Sequence, residues 1–233
     1  MKFEFSTYST DNNYWEIYNA IKKFYPIGLK KENGDGNYFE YEGIKELYSI
    51  IKENIENEIN YDKRWGRFIR DLGNKINKEI NSTTYGYVPS FSASILIEKN
   101  CIRNCVHSKE LHFSVSLIGN FYQIYGSDKT RIFEEDEQIG YTATNSITVS
   151  PFKEFEEVFN QVELGIKEVY PKYKIIPFPI GQSIIEGFQV SYVDDMDCSI
   201  NLGLFNNFLS DVKIIGNIRG DILYGTEYWK IQR

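Results

Sequence analysis

Both histidines and two of the three cysteines of this chain lie within twelve residues, Cys101-Ile-Arg-Asn-Cys105-Val-His107-Ser-Lys-Glu-Leu-His112. Thiolates and imidazoles at such spacing are zinc-ligand types, and two thiols four apart are candidates for a disulfide. All four side chains would come from one continuous loop and strand, however, whereas structural zinc sites join separate elements. The segment therefore reads first as the polar tip of a β-hairpin. Cys105 and His107, two apart on a strand, share a face, but no oxyanion donor for a thiol nucleophile can be read from the sequence.

A second cluster is Asp194-Asp195-Met196-Asp197-Cys198-Ser199, whose three carboxylates suit a divalent cation in a metal-dependent hydrolase or phosphotransferase. As an EF-hand loop starting at Asp195 it fails, because Ile200 stands where the tight turn needs Gly and Asn206 where the bidentate Glu belongs. The spacing Asp195-x-Asp197-x-Ser199 after an apolar run resembles the nucleophile motif of haloacid-dehalogenase-type phosphotransferases. The resemblance covers this local motif alone, and it implies aspartates that attack phosphorus and shuttle a proton. Too little chain follows to supply the lysine and second acidic pair such enzymes use, so a solvated turn is the plainer expectation. The run Glu134-Glu135-Asp136-Glu137 is likewise expected to be a solvated loop, which would also offer an acidic patch to a basic partner.

Eighteen tyrosines and sixteen phenylalanines are the remaining unusual feature. Tyrosine is enriched at protein interfaces, and Tyr85, Tyr87, Tyr122, Tyr125 and Tyr141 are candidates for one recognition face. The competing account is cross-strand packing in a half-exposed sheet.

The elements that must position these residues fall into two groups. Tyr14, Ile17, Tyr18, Ile21, Phe24 and Tyr25 predict a helix capped by Asp11 and stopped by Pro26 and Gly28. Ile44, Leu47, Tyr48, Ile51, Ile55 and Ile59 predict a second helix. Trp65, Phe68, Ile69, Leu72, Ile76 and Ile80 predict a third, starting near Asp62. From Tyr85 the period falls from 3.6 to 2, and 90–98, 111–118 and 121–125 read as strands of an antiparallel meander, which 131–133 and 141–149 extend. In the second strand Leu111, Phe113, Val115 and Leu117 point inward, leaving His112, Ser114 and Ser116 on an outward polar row. Ser150-Pro151 is a helix-start signal for an apolar stripe from Phe152 to Val169 that should lie across the sheet. Late strands are expected at 188–193, 199–204, 213–218 and 227–231. The chain is thus an α+β protein with N-terminal helices packed on an antiparallel sheet. One domain is expected over 1–233, with a helical layer to about residue 84 and a sheet-rich part beyond it.

A chain of 233 residues can bury a core without disulfide or metal support. Its net charge of -7 and pI near 5.1 argue against a nucleic-acid partner, whose phosphates require clustered Lys and Arg, and suit a basic protein instead. An odd, sparse set of cysteines suits a reducing compartment, and neither a signal peptide nor an 18-residue apolar run is present, so the expectation is a cytoplasmic protein without membrane contact. No cofactor is implied. The leading expectation is a non-enzymatic protein-binding protein, a stoichiometric inhibitor such as an immunity protein whose partner is a basic toxin domain. The alternatives are the metal-dependent enzyme at Asp194, Asp195 and Asp197, and an assembly component of a phage or secretion system.

Overall fold

The computed structural model describes residues 5–7, 9, 11–31, 37–134, 139–194, 197–209 and 217–231. Helix α1 (Trp15–Phe24) buries Ile17, Ile21 and Phe24, as their spacing requires. Its first turn is held by Asn13, whose Oδ1 accepts the Trp15 N–H at 3.0 Å, rather than by the expected Asp11. A short helix α2 (Asn37–Glu40) leads into α3 (Glu42–Ile51), which runs into a π-helical turn at Lys52–Glu56. The expected second helix ends there. Asn57 is extended, and its side chain accepts the Asn60 N–H at 3.1 Å to start α4 (Glu58–Tyr61). A second π-helical turn, Asp62–Gly66, joins it to α5 (Arg67–Ile76). Asn77 then adopts a left-handed conformation (φ 53°), so Ile80 begins a strand instead of closing the third helix.

Among the described residues the sheet has seven strands: β1 (Ile80–Ser82), β2 (Ser90–Ile102), β3 (Cys105–Ser116), β4 (Phe121–Phe133), β5 (Ile139–Thr148), β6 (Lys174–Ile175) and β7 (Ile218–Arg219). Its order is β1-β2-β3-β4-β5-β7. The expected meander forms the middle, and short parallel pairings add β6 to β4 and β7 to β5. The protein is α+β with a mostly antiparallel mixed sheet. Strands β2 to β4 are longer than the apolar alternation indicates, because the second halves of β2 and β4 and the first half of β3 project beyond the core. The expected piece at 131–133 is the end of β4.

One face of the sheet carries Phe91, Ala93, Ile95, Leu111, Phe113, Val115, Tyr122 and Ile124. They pack against Trp65, Phe68 and Leu72 and against Phe159, Val162 and Ile166 of helix α6 (Glu156–Val169). Trp65 stacks on Phe91 with centroids 5.4 Å apart and planes 9° apart. The Ser150-Pro151 signal does not cap α6. Ser150 is buried, its Oγ accepts the Asp221 N–H at 2.8 Å, and a 3₁₀ turn at Lys153–Phe155 starts the helix.

That turn presses the Phe155 ring onto Gly126 of β4, where an added Cβ would lie 2.7 Å from the ring. Gly126→Ala is expected to cost about 1–3 kcal/mol, the range for overpacking a core. Thermal unfolding of this variant against Gly86→Ala, where an added Cβ meets nothing within 4 Å, checks it. Equal losses at the two positions would contradict the account.

The other face holds Ser114 and Ser116, expected to point into solvent, together with Ser90 and Ser92. Ser90, Ser92, Ser114 and Ser116 are instead buried beneath the segment Phe205–Leu209. Asn206 Nδ2 donates to Ser92 Oγ at 3.0 Å and to Ser114 Oγ at 3.2 Å, and Ser90 Oγ donates to the Phe205 carbonyl at 3.1 Å. A polar row can be internal when every member finds a partner. A second core packs α1 and α3 against Phe121, Phe188, Cys198, Leu204 and Phe205. The expected strands at 188–193 and 199–204 are absent. The first is loop and turn, and the second is a short helix α8 (Ile200–Leu204), which follows α7 (Phe178–Gly181). At 227–231 a 3₁₀ turn, Thr226–Trp229, replaces a strand, and most of 213–218 lies outside the described residues.

Candidate binding surface

The Cys/His window is the hairpin between β2 and β3, as expected, with Arg103 at φ 54° in its turn. Its register decides the ligand question. Cys101 pairs with Val106 and Ile102 with Cys105, so the two thiols sit on opposite faces of the ribbon and cannot be bridged without moving backbone. The same alternation places Cys105 and His107 on the helix-bearing face and Cys101 and His112 on the other. Zinc ligation by all four is thereby overturned. Among the described residues no group of three or more His, Cys, Asp or Glu side chains is arranged to hold a metal ion.

His112 corrects the outward polar row: it is buried, stacked on Tyr125 with centroids 5.0 Å apart, and its Nε2 is 2.9 Å from Ser127 Oγ. Burial, reinforced by Lys129 and Arg131, pushes its pKa down to about 3, so the ring is neutral. Asp194 is exposed with Lys31 Nζ 3.5 Å away, and Asp197 Oδ1 accepts the Gly187 N–H at 2.9 Å. Asp195 lies outside the described residues. No strand precedes Asp194, so the strand-then-aspartate setting of the phosphotransferase resemblance is missing.

The five tyrosines do not form one face. Tyr122 and Tyr125 are buried, whereas Tyr85, Tyr87 and Tyr141 are exposed. Tyr85 and Tyr87 precede Ser90 at one end of the sheet and Tyr141 stands at the other, on the order of 40 Å along the strands. Glu134 directly follows β4, and Glu135, Asp136 and Glu137 lie outside the described residues.

What the structure does bring together lies beyond Phe155, where β2 to β5 continue as a four-stranded ribbon for three cross-strand rows on the helix-bearing face. The first row is Glu98, Lys109, Asp128 and Ser146. Lys109 Nζ lies 2.9 Å from Glu98 Oε2 and 3.2 Å from Glu154 Oε1, and Glu154 takes two 3.0 Å hydrogen bonds from Arg219. The guanidinium holds the Glu154 carboxyl down to about 2. The second row is Asn100, His107, Thr130 and Ala143. His107 Nε2 is 2.7 Å from Asp128 Oδ1, which also accepts from Asn145 Nδ2 at 2.7 Å. The third row is Ile102, Cys105, Ile132 and Tyr141. Its large side chains are strongly exposed: Ile102 73%, Ile132 39% and Tyr141 57%.

Cys105, His107 and Asp128 therefore share a face, with Asp128 orienting the imidazole. Among the described residues no hydrogen bond joins Cys105 to His107, and isoleucines flank Cys105 across both strand pairings, where a thiol nucleophile would need donors for a developing oxyanion. What these rows supply is a stiff apolar strip whose supporting charges are already paired. The sequence reading missed Ile102, Ile132 and Asp128. Counting outward from the Arg103-Asn104 turn was the signal that would have aligned Ile102 with Cys105. No protein family, curated protein or solved structure matches the chain. Among the described residues no helix is long and apolar enough to cross a membrane.

Proposed function

We propose that this chain binds another protein through the projecting end of the β2–β5 ribbon, as a stoichiometric inhibitor of the kind that neutralises a bacterial toxin. The observation that carries the reading is the row Ile102–Cys105–Ile132–Tyr141, an exposed apolar strip on four paired strands with satisfied ion pairs at its base. Isolated exposed hydrophobics need no explanation, but a contiguous row on a rigid platform matches the core of a docking site, with Tyr141 as its aromatic anchor. The net charge of -7 favours a basic partner by steering its approach and holding it in register.

The test is native mass spectrometry of the chain purified from its own host, alone and as Tyr141→Asp. A one-to-one complex with a basic protein is expected. The substitution should weaken it about 30-fold or more, the size of a hot-spot loss. A complex that survives Tyr141→Asp and Ile132→Asp unchanged would place the interface elsewhere.

A further inference from the structure

Among the described residues Gln123 is the only side-chain amide whose nitrogen and oxygen are both buried without a hydrogen-bond partner. It stands on β4 between Tyr122 and Ile124, which belong to the core beneath α6, so the alternation of the strand sends it to the opposite face of the sheet. There it is 5% exposed, next to the small cluster of Tyr125, Val149, Phe178 and Leu209. An amide taken out of water in this way loses two sets of hydrogen bonds, and buried polar groups are retained where a partner restores them.

Gln123 lines a cavity of about 20 Å³. A second polar side chain lines it too: Asn201 of α8, 4% exposed, whose amide packs against Gly181 of α7 so closely that an added Cβ there would collide with it. The sheet and the α7–α8 layer thus each present a buried amide to one small space. Its volume selects the ligand. One water needs about 10–15 Å³, whereas sites for organic molecules start at about 300 Å³.

We propose that this cavity is a built hydration site, in which one internal water accepts from Gln123 Nε2, donates to Gln123 Oε1 and has the Asn201 amide as its partner on the α8 side. Water is the ligand that offers a donor and an acceptor together within that volume, and an internal water characteristically makes about three hydrogen bonds. It joins the sheet to the α7–α8 layer as a direct side-chain contact would, at a modest cost in entropy. The cavity lies on the sheet face opposite the apolar strip, so the inference goes beyond the binding role proposed above and does not depend on it.

Water–amide NOE spectroscopy of the ¹⁵N-labelled full chain tests it. The Gln123 side-chain amide protons should show a cross-peak at the water frequency with opposite signs in the NOE and ROE spectra, the signature of a long-lived neighbouring water. Oxygen-17 relaxation dispersion of the solvent should lose the amplitude of one such water in Gln123→Met, which keeps the length of the side chain and removes both polar atoms. The same amplitude should persist in Gln161→Met, at an exposed contact of α6. Cross-peaks of equal sign, which report exchange with bulk water, overturn the proposal. So do NOEs from the Gln123 amide to side chains of residues 210–216, which would make the chain itself the partner, and a dispersion amplitude unchanged in a folded Gln123→Met. The wild-type cross-peak decides the matter even where the variant fails to fold.

Discussion

Replacing Glu163 with alanine is expected to lower the stability of the folded chain by about 3–5 kcal/mol, the cost of removing one partner from a buried charged network. Glu163 lies on the inner side of α6 and is almost wholly buried. Its Oε1 accepts the Tyr122 hydroxyl at 2.8 Å and lies 3.0 Å from Lys167 Nζ, and its Oε2 accepts the Tyr224 hydroxyl at 2.6 Å. Burial pushes both tyrosines upward in pKa, with the Glu163 charge adding to it, so both stay protonated and donating. Truncation strands the buried Tyr122 hydroxyl and the half-buried Tyr224 hydroxyl at once. Tyr122→Phe removes a donor but leaves the carboxylate its other two partners, so its loss should stay near 1 kcal/mol. Urea unfolding of both variants is decisive: similar losses would mean that the carboxylate organises nothing.

Acidification from pH 8 to about 5 is expected to cost roughly 2 kcal/mol of stability through His112 alone, from its downshifted pKa and the 1.36 kcal/mol per pH unit of linkage. The folded protein binds this proton only near pH 3, whereas the unfolded chain binds it near 6.5. Between those values the unfolded state carries more protons. The contribution is therefore complete above pH 6.5 and lost progressively as pH falls toward 3. Carboxylates held below their usual range, such as Glu154, add to the loss only below about pH 4.5, which leaves the interval from 6.5 to 5 diagnostic. His112→Gln should flatten the stability profile in that interval, whatever its effect at pH 8. A profile that keeps the wild-type slope would show that the ring is protonated in the folded state.

These expectations rest on environments that only the fold creates, although much of the scaffold was legible beforehand. The stripe Ile17, Ile21 and Phe24 and the alternation Leu111, Phe113 and Val115 dictate their elements, because an apolar face at period 3.6 or 2 has one way to be buried. Local punctuation was less reliable. Ser150-Pro151 looks like a helix start, but the serine is used by the backbone of Asp221, seventy-one residues away. Asn77 ended a helix that the apolar spacing would have continued, since a left-handed residue interrupts the pattern without changing hydrophobicity.

The sequence by itself determined the α+β class, the meander, the hairpin at Cys101–Cys105 and the acidic balance of the chain, all of which depend on neighbours near in sequence or on composition. The tertiary structure decided which polar residues are internal. Ser114 and His112 read as solvent-facing until the distant segment around Asn206 covers their face, and such coverage leaves no periodic trace in the strands it hides. It also decided the candidate surface. Ile102, Cys105, Ile132 and Tyr141 come from four strands, and only the registers of three ladders, set by turns and bulges, place them in one row.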